Sequence, residues 1–272
     1  MRIGDILACT KLKMKYLIYK WAKKYIKFYE NFSYSFKKNG EKYLLDSLAK
    51  QSVRTVFDVG ANIGDWTTLA GKKIKGAKFH LFELSESTFK TLSSTFDGCE
   101  NVVTNHLALS NNRGNIKYQD YGKDSGLNSI LQDTSYHKLR SVLKESTSTT
   151  GDEYCRENGI SHIDFLKIDV EGAEHIVLEG FAEMLGQQAI DLIQFEYGYT
   201  HGDAHFLIKD FYNFFHKFGY KIGPLKKKGV IFMDFNYKLN EFNSGPNFVA
   251  VSEKKTDLIK TLSGPSIKGF AI

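Results

Sequence analysis

Cysteine is scarce in this sequence and long apolar runs are missing, and each shortage removes a class of protein. Only Cys9, Cys99 and Cys155 occur in 272 residues, far apart and in no spacing that a zinc site or a CxxC redox pair requires. An odd, scattered set with no recognisable signal segment gives no disulfide framework and sets the expectation of a reducing, cytoplasmic setting. No stretch of ~18 apolar residues appears, so no helix is expected to span a bilayer. Internal repeats and low-complexity linkers are absent as well. What remains is ordinary for a globular chain, 42% apolar and 25% charged, and long enough for one large α/β domain or a domain with an appendage.

Charge is unevenly spread. Ten of the first 38 residues are basic and two are acidic, a local +8, so the rest of the chain is slightly acidic although the whole carries +6. The basic character belongs to an N-terminal arm, residues 1–38, ahead of a main domain at 39–253 and a tail at 254–272 with no clear period. Residues 12–29 contain no Gly or Pro and read as a basic amphipathic helix. At 100° per residue Lys13, Lys20, Lys23, Lys24 and Lys27 share one side, opposite Met14, Ile18, Trp21, Tyr25 and Ile26. The simpler expectation is that the apolar side packs on the protein's own body or on a second subunit. The alternative is an interfacial helix resting on the inner face of an anionic membrane. Nucleic acid is not expected as a partner, since no groove-reading or base-stacking motif accompanies the lysines.

From residue 40 onward helices and strands alternate. Helices are expected at 41–50, 66–73, 86–95, 150–158, 173–185 and 204–218. Strands are expected at 54–59, 78–83, 101–107, 163–170 and 189–197, with looser ones at 115–119 and 128–132. The segments 220–224, 230–235 and 247–252 are expected to close the sheet as antiparallel edge strands. The class is therefore α/β, a mostly parallel sheet covered on both faces.

Ligands of such sheets bind beyond the carboxyl ends of the strands, and five segments end there suggestively. In Asp58-Val-Gly-Ala-Asn-Ile-Gly64, Gly60 permits a tight turn after the strand and Gly64 lets backbone approach a ligand at the next helix. The string is not GxGxxG. Its acid before the first glycine and its Asn after it suit S-adenosylmethionine, with Asp58 ordering the loop and holding the cofactor's ammonium directly or through water, and Ala61 and Asn62 alongside. Glu83, about 20 residues past the glycines, ends a second strand where an acid accepts both ribose hydroxyls, with Leu84 following it. His106-Leu-Ala-Leu-Ser110 offers Ala108 and Leu109 to flank an adenine, with Asn105 or a backbone group reading its edge. In Phe165-Leu-Lys-Ile-Asp-Val-Glu-Gly-Ala-Glu174, Asp169, Glu171 and Glu174 crowd one strand end, and alternation puts Lys167 on the face of Asp169 as the nearest compensating charge. Glu196 ends the next strand, and His201, Asp203 and His205 follow. A metal on those three is conceivable, but Asp203 as the cap of a helix from Ala204 is preferred, so no metal is assigned.

At this point the chain resembles the FkbM family of S-adenosylmethionine-dependent methyltransferases. The matching strings are Phe57-Asp-Val-Gly-Ala-Asn-Ile-Gly64, Phe82-Glu83, Asn105-His-Leu-Ala-Leu-Ser110, Leu166-Lys-Ile-Asp-Val-Glu-Gly-Ala-Glu174 and Phe195-Glu196, in the family's order over residues 54–222. The family often has Pro after the second-strand Glu; here Leu84 stands there. The resemblance implies a Rossmann-like class I methyltransferase fold and O-methylation, often of sugar or polyketide hydroxyls. Asp169 or Glu196 is the expected base, with Lys167, Glu171 and His201 as helpers or substrate contacts. Two other classes stay open: a non-catalytic protein that keeps the cofactor fold and is recruited to glycan assembly, and a protein or RNA methyltransferase. Against the latter, Asp-Val-Glu-Gly stands where amide and base N-methylating enzymes carry an Asn-Pro-Pro-Tyr-type string.

Overall fold

A computed structural model describes residues 3–29, 32–131, 141–237 and 246–264. The chain runs α1 (Ile3–Tyr29), α2 (Glu41–Leu48), β1 (Thr55–Val59), α3 (Asp65–Lys73), β2 (Lys78–Glu83), α4 (Glu86–Thr95), β3 (Val102–His106), β4 (Ala108–Leu109), β5 (Gly114–Asp120) and β6 (Val142–Thr149). It continues α5 (Gly151–Glu157), β7 (Ile163–Ile168), α6 (Glu174–Glu179), α7 (Ala182–Gly186), β8 (Ile190–Glu196), α8 (Thr200–Asp203), α9 (Ile208–Lys217), β9 (Tyr220–Lys226), β10 (Gly229–Val230), β11 (Asn247–Ser252) and α10 (Thr256–Leu262). Most strands and helices lie within two or three residues of where the periodicity puts them.

The main sheet has the order β3-β2-β1-β7-β8-β11-β9-β10. The five strands from β3 to β8 are parallel, and β11 inserts antiparallel between β8 and β9. This is the order expected of a Rossmann-like fold, with the direction reversed at the inserted β11 and again at the short edge strand β10. The expectation of antiparallel edge strands is thus refined: β9 opposes β11 and so runs with the parallel set, and of 230–235 only Val230 joins a strand.

Side-chain alternation divides the interior into two cores. Phe57, Val59, Leu166, Ile168, Ile193 and Phe195 face α5–α7 and α9. Val56, Phe165, Leu192, Val249 and Val251 face α2–α4 and α10. On that second face Asp58, Lys167 and Gln194 are register partners across β1, β7 and β8, so a polar row crosses an otherwise apolar surface.

Several elements depart from expectation for visible reasons. The helix at 173–185 is split into α6 and α7 at Gly180, where a Cβ would come 2.1 Å from the Ser110 carbonyl oxygen. The helix expected from Ala204 begins at Ile208, and its Leu207 N–H is held by Asp210 Oδ2 at 2.9 Å rather than by an Asp203 cap. At 128–131 there is only a bridge between Gln119 and Ser129; residue 132 lies outside the described residues. A small sheet, β4-β6-β5, contains β6, which periodicity misses. Residues 256–262, assigned above to the tail, form α10, which buries Leu262 and receives the Tyr43 hydroxyl on the Thr261 carbonyl. The arm helix does not pack on the body: side chains 12–28 are exposed throughout, Trp21 at 69%. No helix among the described residues is long and apolar enough to cross a membrane.

Candidate functional site

The carboxyl ends of β1, β2, β7 and β8 converge on one cavity of about 240 Å³. At the end of β1 the chain turns sharply. Gly60 (φ +79°) and Ala61 both donate their N–H to the Phe82 carbonyl, and Asp169 donates its own to Val59. A Cβ on Gly60 would lie 1.9 Å from the Asp169 carbonyl oxygen, so only glycine lets the ends of β1 and β7 meet. Gly64, also left-handed, serves packing instead of ligand approach: the space its side chain would occupy is filled by Phe96 and Leu92.

Glu83 lies on the cavity wall, buried. Its Oε1 accepts the Ser85 N–H (2.8 Å) and its Oε2 the Asn62 N–H (3.1 Å), so the acid that ends β2 also pins the glycine loop. Burial pushes its pKa up to about 7 against the pull of those donors. Each oxygen keeps a lone pair for a further donor. Two more buried polar atoms on the wall, Asn62 Oδ1 and Asn128 Nδ2, have no partner among the described residues. An acceptor and a donor left unmet inside a cavity are a costly arrangement unless a ligand meets them. Phe82, Leu84, Leu107, Ala108 and Leu109 form an apolar side.

Facing them are Asp169, Glu171 and Glu196. Burial, then Asp169 and Glu174, push the Glu171 carboxyl up to about 8. Burial, then Asp169, Glu171 and Glu174, raise Glu196 as well, and Lys167 pulls the other way. Glu196 makes no side-chain hydrogen bond among the described residues. The Lys167 ammonium is buried, 3.1 Å from Asp169 Oδ2, 3.3 Å from Asp58 Oδ1 and 5.5 Å above the Trp66 ring. Burial opposes its charge, but Asp169 and Asp58 outweigh that and hold its pKa above the ordinary lysine value. Lys167 therefore fixes Asp169 and joins two strand ends from behind the wall.

The turn after β7 is built to carry these groups. Glu171 (φ +56°) and Gly172 (φ +101°) are consecutive left-handed residues, and Thr200 and Leu131 crowd the space a Gly172 side chain would need. The Ser129 hydroxyl donates to the Glu171 carbonyl at 3.0 Å. Glu174 is wholly buried, accepts the Val170 N–H at 2.9 Å, and sits 2.9 Å from His201 Nε2. His201 Nδ1 accepts the Gly198 N–H at 3.1 Å. Glu174 thus holds the turn after β7 and His201 the loop after β8, and the two buried side chains meet where those segments adjoin, in an approach that lacks hydrogen-bond geometry.

Of the residues expected to hold cofactor, Gly60, Asn62, Glu83, Leu84, Ala108, Leu109 and Asp169 line the cavity. Asp58, Ala61 and Gly64 do not. Asp58 is fully buried between the Thr67 hydroxyl (2.6 Å) and Lys167, so it orders the loop rather than reaching a ligand. Of the expected catalytic set Asp169, Glu171 and Glu196 line the cavity, while Lys167 and His201 stand behind it. Asn105 is committed elsewhere, donating to the Leu81 carbonyl and accepting from the Tyr154 hydroxyl. The conceivable metal trio is dispersed by the burial of His201 against Glu174 and the exposure of His205. Among the described residues the one cluster with metal-ligand geometry is His162, Asp164 and Asp191, whose carboxylates already hold the Arg54 and Thr55 amides and Lys255.

Sequence reasoning missed part of the wall. Tyr34 comes from the arm, and Ser125, Gly126, Asn128 and Ile130 come from the segment between β5 and β6. The Gly-Lys-Asp-Ser-Gly string at 122–126 was the available signal, a turn cluster with no sheet of its own.

A precorrin-6y C5,15-methyltransferase from Geobacter metallireducens is 10% identical, with a TM-score of 0.42 over 79% of this chain and 89% of that one. An rRNA methylase from Streptococcus thermophilus is 14% identical, again with a TM-score of 0.42, over 79% of this chain and 96% of that one. No curated protein matches. The model of the methyltransferase FkbM domain matches residues 58–222, from the buried Asp58 through Glu83, the Asp169–Glu174 turn and Glu196 to the penultimate core strand, and the chain therefore belongs to the FkbM methyltransferase family.

Proposed function

We propose that this methyltransferase moves the methyl group of S-adenosylmethionine onto a hydroxyl of a small molecule, a sugar of a bacterial surface glycan or of a glycosylated metabolite. The observation that carries the reading is the division of one cavity. Glu83, Asn62 and an apolar side lie at one end, and three carboxylates, two of them with raised pKa values, lie opposite.

The cofactor end fits its ligand by donor and acceptor type. Glu83 has lone pairs left for two ribose hydroxyls, and the buried Asn62 Oδ1 and Asn128 Nδ2, an acceptor and a donor with no partner among the described residues, would suit the ammonium and carboxylate of the cofactor once the wall adjusts to it. Phe82, Leu84, Ala108 and Leu109 would shelter an adenine. When bound, the cofactor supplies a sulfonium methyl open to in-line displacement, a step for which alignment accounts for much of the rate.

At the opposite end a hydroxyl acceptor must lose its proton as the new bond forms. Glu196, whose side chain makes no hydrogen bond among the described residues, is the group best placed to take it when ionised. Asp169, held by Lys167, and Glu171 would position the acceptor's other hydroxyls. Carboxyl groups in either protonation state exchange hydrogen bonds with hydroxyls, so their concentration at this end suits a neutral polyol and favours the sugar reading over RNA.

Labelled methyl transfer to pooled cell glycans, proteins and RNA tests the acceptor class; label in RNA alone would sink the proposal. For the residues, Glu196→Gln and Asp169→Asn should each lose ~10²–10⁴-fold in turnover at saturating cofactor. Wild-type turnover in both would remove them from the mechanism.

A further inference from the structure

We propose that α1 is a docking helix for the surface of an anionic lipid bilayer. Its side chains 12–28 are exposed along the whole length, with Met14 at 57%, Ile18 at 63%, Trp21 at 69%, Tyr25 at 67% and Phe28 at 83%. On the helical projection, those residues and Leu17 form an unbroken apolar arc. Lys13, Lys20, Lys23, Lys24 and Lys27 occupy the adjoining arc together with Tyr16, and Lys15 lies on the far side.

The lysines do not extend freely into water. Lys20 lies over Tyr16 at 4.7 Å, Lys23 over Tyr19 at 4.8 Å and Lys24 over Trp21 at 5.6 Å, so alkyl stems and rings pack together with the ammoniums at the border between apolar and polar sides. That border is what an interfacial helix presents to headgroups, with the aromatic residues sunk to the acyl boundary.

Charge decides between occupants. Residues 1–38 carry +8 while the rest of the chain is slightly acidic. A second copy would cover the apolar arc but bring two such arms together against their mutual repulsion. A nucleic acid would meet the lysines and leave Trp21, Met14 and Ile18 in water. An anionic bilayer satisfies both arcs, and each lysine near its surface adds ~1 kcal/mol of attraction. The helix does not cross: it lacks the apolar length.

The placement bears on the cavity. The Phe32 N–H returns to the Lys27 carbonyl at 2.8 Å, and Tyr34, two residues on, lines the cavity wall. The helix therefore stands beside the mouth, although its docking does not depend on which acceptor the cavity takes.

The full chain should co-float with vesicles of phosphatidylcholine and phosphatidylglycerol but not with phosphatidylcholine alone, and salt should weaken the association. Lys20→Gln with Lys24→Gln should lower the partition coefficient roughly thirtyfold, from ~1 kcal/mol per lysine. Trp21→Ser with Tyr25→Ser should lower it as well. Both pairs lie on an exposed helix, so unfolding of the body by circular dichroism is not expected. Trp21 fluorescence should shift to the blue with anionic vesicles, and Trp21→Phe should abolish the shift. Equal partition into both vesicle types, or none into either, overturns the proposal. So does a dimer in solution that Trp21→Ser dissociates, or retention on RNA with none on anionic vesicles.

Discussion

Replacing Lys167 by methionine is the sharpest perturbation of this structure. Met keeps the length and apolar stem of the side chain over Trp66 and removes the charge. Asp58, with no exposure at all, would keep only the Thr67 hydroxyl at 2.6 Å. Asp169 would lose a contact of 3.1 Å, but its side chain is 36% exposed and water can replace the lysine there. Removing one partner of a buried ion pair costs ~3–5 kcal/mol because the survivor is left charged and unmet. A half-open pair is worth ~0–1 kcal/mol, so nearly all of the loss should come from Asp58. Against a typical folding stability of ~5–15 kcal/mol this is a large fraction.

Urea unfolding of four proteins, wild type, Lys167→Met, Asp58→Asn and the double variant, isolates the coupling. Asn keeps the hydrogen bond to Thr67 without a charge, so the double variant should recover much of what Lys167→Met loses, with a coupling of ~2–3 kcal/mol. The same lysine lowers the Glu196 pKa. Turnover of Lys167→Met should therefore need a higher pH than wild type. A single-variant cost under ~1 kcal/mol, with the double variant additive, would refute the assignment of Lys167 as the brace between β1 and β7.

Glu83 must be ionised to accept two ribose hydroxyls, and its pKa is about 7, so cofactor affinity should rise with pH up to that value and level off above it; calorimetric titration across the range reads this, and Glu83→Gln should be weak and flat. Stability of the ligand-free protein should follow the opposite slope. Glu83 and Glu171 are raised from 4.5 to about 7 and about 8, so their neutral forms favour the folded state fully below the ordinary carboxylate range, and that contribution is lost as pH rises through 7 to 8. A melting temperature that climbs from acid to alkaline pH would contradict both burial assignments. His201→Phe removes the Gly198 amide's acceptor and the contact to Glu174, at a cost of ~1–3 kcal/mol; turnover should fall with cofactor affinity unchanged, while a loss of affinity instead would place His201 at the cofactor.

How much of this was legible in the sequence depends on whether a residue's role is local. Strands β1 and β2 could be placed closely because Val-Phe-Asp-Val and Phe-His-Leu-Phe-Glu are dense in β-formers and end at a glycine loop or an acid. Strand β6 could not. Six of its residues, from Val142 to Thr147, are exposed or half-buried, only Ser148 and Thr149 are buried, and what makes it a strand is antiparallel pairing with β5. Period-two alternation put Lys167 on the face of Asp169, yet its second partner is 109 residues away, and only the register of β1 on β7 brings Asp58 beside it. His201 reads as a mouth residue because it follows the acidic strand end. Its ring instead packs against Tyr197 and Phe211, and aromatic residues at that spacing carry no sign of which histidine they will cover. The missing wall between β5 and β6 has the same origin, a turn-rich segment whose place is decided by Ser129 bonding to the turn after β7.

The charges around that turn are unbalanced in one direction, and the imbalance bears on what the site receives. Asp58, Asp169, Glu171, Glu174 and Glu196 converge on the ends of β1, β7 and β8, with Lys167 as the buried cation among them. The protein meets the shortfall by protonation: Glu171 and Glu196 are driven toward their neutral forms, which is how like charges in a confined space ordinarily resolve. A neutral carboxyl is a poor base, so the acidic cluster by itself is set for binding more than for proton removal. A ligand that brings positive charge reverses this, since a cation beside the cluster favours the ionised form of each carboxyl. A sulfonium cofactor is such a ligand. In the proposed reaction, the charge that makes its methyl group transferable would also return Glu196 toward the carboxylate that the acceptor hydroxyl requires, so the base would become competent where the methyl donor is already in place.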